Sequence, residues 1–185
     1  MPQIEIRPAG EADIPILATI DHNYVSDYVW QMEINRSETG IGEASQILAG
    51  FREIRLPRSV RVEYPRSPQA LVENWQRQDG MLVALFENEP IGYGRLMLGV
   101  APMTAWITDL VVKRRLRRQG IGSALLLSAQ DWGLHHGCRN LVLEMQSKNY
   151  PGIKLAEKLG LEFCGYNDRY YANHDIALFF AISLR

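Results

Sequence analysis

Cysteine is scarce in this chain, with only Cys138 and Cys164 among 185 residues. Two thiols cannot build a disulfide scaffold, and their spacing matches no metal pattern. Reduced thiols in a cytoplasm are therefore the expectation. Long apolar runs are missing, so no membrane span is expected, and Met1 to Gly10 holds no apolar signal-peptide core. An excess of one charge is missing too, because 20 basic residues against 21 acidic ones leave a net charge of −1. No global field recruits nucleic acid or a membrane surface, so recognition of a charged ligand must be local. Repeats, linkers and low-complexity tracts are lacking as well. The length then reads as one domain over 1–185 with a single substantial core.

What is present is organised around the stretch from Trp106 to Gly122. Ile107, Leu110, Val111 and Val112 make a short apolar run of strand type. Five of the six residues from Lys113 to Arg118 are basic, which no core accepts. Gly120 and Gly122 follow, and Ala124 to Leu127 open an amphipathic helix. A helix start leaves its first N–H groups unpartnered and carries partial positive charge. Glycines allow close approach of backbone to a ligand, and arginines add full charge. The combination suits a phosphate or pyrophosphate. No Gly-Lys-Ser/Thr follows, which excludes a P-loop. Two glycines without a βαβ unit exclude a dinucleotide fingerprint.

Upstream, Ile4 and Ile6 alternate in a first strand over Gln3 to Arg7. A helix is expected from Glu11 to Ile20, with Pro15 in its first turn. A period of two over Tyr28 to Asn35 predicts a strand, followed by a turn over Arg36 to Glu43. Ser45 to Leu56 reads as a strand whose phase shift marks a bulge, and Val60 to Tyr64 alternates again. Six arginines between Arg36 and Arg66 are matched by six acids between Asp27 and Glu63. That balance suits a solvated, substrate-facing β element, with Tyr28 and Trp30 as candidates for an acceptor wall. A helix over Ser67 to Gln78 and a hairpin of Met81–Phe86 with Ile91–Leu98 lead into the central stretch.

Downstream, the helix after the glycines runs to about His136. His135 and His136 suit a helix end better than a metal, and no metal is expected. Leu141 to Met145 should lie parallel to 107–112 through a right-handed crossover. A helix over Pro151 to Leu159 and strands over Leu161–Tyr166 and Ile176–Leu184 complete the chain. The last strand is apolar enough to be central.

The hexapeptide Arg117-Arg118-Gln119-Gly120-Ile121-Gly122 resembles the Arg/Gln-x-x-Gly-x-Gly/Ala pyrophosphate loop of the GNAT superfamily of acyl-CoA N-acyltransferases. A second signature follows in the right order. Leu143-Glu144 ends a strand, Asn149 lies five residues after the glutamate, and Glu157-Lys158-Leu159-Gly160-Leu161 ends a helix. Asp109, Glu144, Gln146, Asn149, the Tyr171-Ala172-Asn173 run and the apolar last strand are similar to the streptothricin acetyltransferase branch. The fold this implies is mixed α/β (α+β). Its central sheet is mostly antiparallel, is splayed between two parallel strands, and has helices on both faces and an extra N-terminal β element. Residues 1–80 would supply acceptor-side elements and 81–185 the acetyl-CoA core.

The resemblance also implies a reaction. Acetyl-CoA would lie in the splay, its arm against backbone of Leu110, Val111 and Val112. An N–H near Val111 or Val112 would polarise the acetyl carbonyl. Backbone N–H groups of Arg117, Arg118, Gln119, Gly120, Ile121, Gly122 and Ser123 would hold the pyrophosphate, and Asn149 would reach the arm from the other wall. A substrate ammonium must lose a proton before attack, and the oxyanion needs a donor. Glu144 is the first candidate base, against a reading as an outward polar residue. Asp109 is the second, against a structural salt bridge. Many members carry a general-acid tyrosine where this chain has Ala156, and an alanine where it has Gly152. Tyr150, Tyr166, Tyr170 and Tyr171 are the nearby tyrosines.

The expected function is N-acetyl transfer to a primary amine by direct attack in a ternary complex. A small cationic amine such as an antibiotic is the first acceptor expected, and a protein N-terminus or lysine the alternative. A CoA-binding sensor that turns over nothing is the rival of another class. The sequence leaves the oligomeric state open, a homodimer included.

Overall fold

In a computed structural model, residues 4–37 and 46–185 are described. Chain order is β1 (Ile4–Pro8), α1 (Ile14–Ala18), β2 (Tyr24–Ser37), β3 (Gln46–Val62), α2 (Pro68–Asn74), β4 (Gly80–Phe86) and β5 (Glu89–Met97). Then come β6 (Thr104–Val112), α3 (Ile121–His135), β7 (Asn140–Gln146), α4 (Tyr150–Lys158), β8 (Glu162–Asn167) and β9 (Ala177–Ser183). Seven strands form one sheet in the order β1-β4-β5-β6-β7-β9-β8, and β2 and β3 form a separate hairpin. Every neighbouring pair is antiparallel except β6 and β7. The apolar last strand, β9, lies inside the sheet between β7 and β8.

Each face of the sheet is covered by helices. Leu125, Leu126 and Ala129 of α3 and Ile153 and Ala156 of α4 share a core with Ala105, Ile107, Leu141 and Leu143. On the opposite face Ile14 and Leu17 of α1 and Leu71 of α2 pack with Met81, Val83, Tyr93 and Val111. The helix expected over Glu11 to Ile20 divides into a 3-10 turn, Glu11–Asp13, and the short α1. No helix among the described residues is long and apolar enough to cross a membrane.

The hairpin departs from the expectation in one respect. Register holds from Tyr24↔Val62 to Ser26↔Val60 and resumes at Tyr28↔Arg55. The irregularity therefore lies over Leu56–Ser59, opposite Asp27, rather than within Ser45–Leu56. Pro57 explains its place, since it has no N–H to give the ladder. Ser59 Oγ donates to Asp27 across the irregularity. The turn expected over Arg36–Glu43 lies mostly outside the described residues.

The feature that positions the site is a fork. β6 and β7 pair only from Thr104↔Asn140 to Ile107↔Leu143, although β6 runs on to Val112 and β7 to Gln146. At the branch point β6 carries one extra residue, Thr108. It falls between the pairs Leu96↔Ile107 and Arg95↔Asp109. A bulge bends and twists its strand, which turns β6 away from β7 at this point.

Candidate active site

The fork opens a cleft of about 940 Å³, large enough for a cofactor-sized ligand. One wall is Leu110–Val112 of β6, and the other is Leu143–Gln146 of β7 with Asn149–Gly152 at the start of α4. Strand alternation sets which backbone groups face the gap. Lys113 N donates to Ile91 O at 2.8 Å, toward β5. Val111 O also faces β5, since a Cβ on Gly92 would sit 2.7 Å from it. Leu110 and Val112 therefore present their backbone groups to the gap, and Val112 carries the N–H aimed there.

At one end of the cleft lies the N-terminus of α3. Gly120 is its N-cap with φ of +89°, and no side chain caps the helix. An L side chain adopts that backbone at a cost of about 1–2 kcal/mol, and a Cβ there would meet no atom within 4 Å. The first N–H groups of α3 are thus left open to a ligand, which the helix geometry itself cannot satisfy. Arg118, Gly120, Gly122 and Ser123 line the cleft beside Arg114 and Arg117. Of the remaining loop residues, Ile121 packs its side chain into the core, and the Gln119 side chain donates to Arg115 O at 3.4 Å. Arg117 turns inward. Its guanidinium donates to Val112 O at 2.8 Å, and to Asn23 O and Asp21 O at 2.7 Å each. Asn149 lines the opposite wall and caps α4, its Oδ1 accepting from Gly152 N at 3.0 Å. A Cβ on Gly152 would lie 2.8 Å from Asn149 Nδ2, which accounts for glycine at that position.

At the branch of the fork sits a buried polar network. Glu144 and Asp109 are each 4% exposed. Glu144 Oε2 accepts from Trp106 Nε1 and from Tyr170 OH, both at 2.6 Å, and Oε1 pairs with Arg66. Asp109 Oδ1 accepts from Tyr64 OH at 2.7 Å and lies 3.5 Å from Arg66 Nη1. Its Oδ2 accepts from Thr108 Oγ1 at 3.2 Å and lies 3.9 Å from Arg95. Burial opposes the Arg66 charge, but Asp109 and Glu144 outweigh it and raise its pKa. Burial, the bond to Glu144 and its charge raise the Tyr170 hydroxyl likewise.

The structure separates the two candidate bases. Glu144 lines the cleft and Asp109 does not. Both carboxylates accept three hydrogen bonds spread over their two oxygens, and Asp109 has Arg95 beside it as well. Asp109 is thereby placed as a buried partner of Tyr64 and the arginines, and the reading of Glu144 as an outward polar residue does not hold. Tyr28 and Trp30 do not line the cleft. Tyr28 lies against Tyr150 at 4.5 Å, and Trp30 packs with Phe51, Phe163 and Phe180. Ala156 is fully buried in the core.

Sequence reasoning missed Arg66, Tyr64, Tyr24 and His22, all of which line the cleft. His22 Nε2 is 2.9 Å from Tyr93 OH, and its buried Nδ1 has no partner among the described residues. Burial lowers its pKa, so the ring is neutral near pH 7. Tyr24 OH donates to Gln146 Oε1 at 2.8 Å, and Gln146 Nε2 donates to Asp175 at 2.6 Å. The first strand of the hairpin is thereby fixed to the end of β7. No group of metal-ligating side chains occurs among the described residues.

The profile of the acetyltransferase (GNAT) family matches residues 48–161. The chain belongs to that family. Over 65 residues it is 34% identical to a streptothricin acetyltransferase of Streptomyces lavendulae, covering 35% of this chain and 34% of that protein. Over 70 residues it is 31% identical to a putative ribosomal-protein-bS18-alanine N-acetyltransferase of Bacillus subtilis, covering 38% and 46%. These matches span a third to a half of each relative's length. The fold is also that of a putative streptothricin acetyltransferase from Bacillus anthracis solved with acetyl coenzyme A. The TM-score is 0.71 at 19% identity, over 98% of this chain and 99% of that one. In GNAT terms, the fork between β6 and β7 is the splay that the two motifs anticipated.

Proposed function

We propose that this chain is an N-acetyltransferase moving an acetyl group from acetyl-CoA to a primary amine by direct attack in a ternary complex. The observation that carries this reading is the fork itself. Two parallel strands part beside an uncapped helix start, with one glutamate at the branch facing the gap. Acetyl-CoA supplies an activated thioester: the amine nitrogen bonds the acetyl carbon, the carbon–sulfur bond breaks, and the amine's surplus protons pass to solvent and sulfur.

The chain's own residues divide the work. Backbone N–H groups from Arg118 to Ser123 hold the pyrophosphate, with Arg114 and Arg118 adding charge. Leu110 and Val112 bind the arm, and the Val112 N–H polarises the acetyl carbonyl. Asn149 borders the arm from α4. Glu144 takes the ammonium proton through water, and Asp109 supports it from behind Tyr64. Residues 1–80 furnish the acceptor side through Tyr24, Asp27, Tyr64 and Arg66, and 81–185 the acetyl-CoA core.

The acceptor we favour is a small cationic amine of the antibiotic kind. Asp27 supplies negative charge, Tyr24, Tyr64 and Tyr171 supply aromatic walls, and the Streptomyces relative's name points the same way. A peptide N-terminus is the second reading, supported by the similarity to the Bacillus subtilis protein. Thiol release from acetyl-CoA across streptothricin, aminoglycosides, polyamines and N-terminal or lysine peptides tests both. Turnover on the first three classes supports the small-amine reading, and turnover on peptides alone replaces it. Tight acetyl-CoA binding with silence on every amine would indicate a CoA sensor instead.

A further inference from the structure

Arg66 belongs to neither signature of the family and lies four residues after Val62, the end of the hairpin. Its Nη1 donates to Thr108 O at 2.7 Å and lies 3.5 Å from Asp109. Its Nη2 pairs with Glu144, and its guanidinium lies 5.5 Å from the centre of the Tyr171 ring. Thr108 is the bulged residue, skipped by the ladder to β5 and beyond the last pair with β7. Its carbonyl therefore depends on Arg66 for a partner. One planar fork of donors bridges β6, β7 and the segment before β9 at the point where the strands part. A lysine could not do this, because it carries a point charge with no fixed geometry.

We propose that Arg66 is a positioning residue for transfer, which ties the two branches of the fork together and holds the Glu144 carboxylate in place at the cleft. This rests on the reading of Glu144 as the proton acceptor. The charge count supports it. Two buried carboxylates, Glu144 and Asp109, meet two cations, Arg66 and Arg95. Arg95 lies near Asp109, so Arg66 is the cation that serves Glu144. Without Arg66, the buried Glu144 carboxylate keeps only the neutral donors Trp106 and Tyr170, and the Thr108 carbonyl loses its donor.

The test compares wild type with Arg66→Gln and Arg66→Lys by two measurements. The first is a carbon-13 carboxyl titration, with Glu144→Gln identifying the Glu144 signal. The second is the pH dependence of kcat/KM with the best amine acceptor. In Arg66→Gln the acid limb of the rate should move to higher pH, and the Glu144 carboxyl signal should move with it. Arg66→Lys should restore part of the shift. Each variant should keep a cooperative thermal unfolding transition by circular dichroism, which shows that the fold survives. An unmoved Glu144 midpoint in Arg66→Gln would overturn the inference, as would a fall in rate with an unmoved acid limb. If wild type turns over no amine, the transfer reading fails by itself, and the carboxyl titration still decides what Arg66 does to Glu144.

Discussion

Arg117 and Asp21 are joined across 96 residues of sequence by a 2.7 Å hydrogen bond from the guanidinium to the Asp21 carbonyl. With its bonds to Asn23 and Val112, Arg117 ties the basic loop to the segment that leads into the hairpin. Its role here is architectural. Burial lowers its pKa, and the charge remains because the group is strongly basic. Arg117→Lys should lose most of these bonds and destabilise the fold by about 2 kcal/mol. That appears as a drop of roughly 4–8 °C in thermal midpoint for a chain of this size. A midpoint unchanged within a degree would show that the bonds are dispensable.

Gly120→Ala should separate binding from folding. The left-handed backbone makes alanine strained by about 1–2 kcal/mol, and the added Cβ would stand where a phosphate approaches. Calorimetry should show acetyl-CoA affinity falling at least tenfold, with cooperative unfolding retained. An unchanged affinity would move the pyrophosphate away from this turn.

Much of this loop was legible because its signals are local. The apolar run of β6, five basic residues and two spaced glycines lie within seventeen consecutive positions, and each acts on its immediate neighbours. The same holds for the β4–β5 hairpin, where Glu87 and Asn88 both take positive φ of 50° and 65°, the geometry such turns need. The acceptor side was hidden for the opposite reason. Arg66 meets Glu144 across 78 positions and Tyr24 meets Gln146 across 122, and no periodicity carries such a pairing. Asp109 stood out as a carboxylate inside an apolar strand, and Glu144 through the resemblance to the GNAT family. Only the fold shows that one faces the cleft and the other is sealed behind Tyr64.

Ala156→Tyr probes the departure from the family pattern. Ala156 is fully buried, so a phenol must displace core neighbours at a cost of about 1–3 kcal/mol. The variant should melt lower, and turnover should rise less than tenfold. A rise of tenfold or more would show that wild type lacks a proton donor that the reaction needs.

Acid should loosen the first strand before the rest of the fold. Arg7 donates to both Asp13 oxygens, at 2.8 and 2.9 Å, and Gly10 N donates at 2.8 Å. The bonds from Arg7 hold the Asp13 carboxyl below its ordinary range, against an opposing effect of burial. A depressed folded value means that the unfolded chain takes up the proton first. The stabilisation is therefore full above the unfolded value of about 3.9 and is lost as pH falls through the lower folded one. Asp13→Asn should remove about 1–3 kcal/mol at pH 7 and flatten the stability curve below pH 4, measured by urea denaturation at each pH. An equally steep acid limb in the variant would assign that limb to other carboxylates.

The central claim is that acetyl-CoA occupies the fork between β6 and β7. Amide hydrogen exchange with and without saturating acetyl-CoA tests it most directly. Protection is expected at Leu110 to Val112 and from Arg118 to Ser123, with the outer half of the β2–β3 hairpin unchanged. Binding without protection at either segment, or protection confined to the hairpin, would contradict the account.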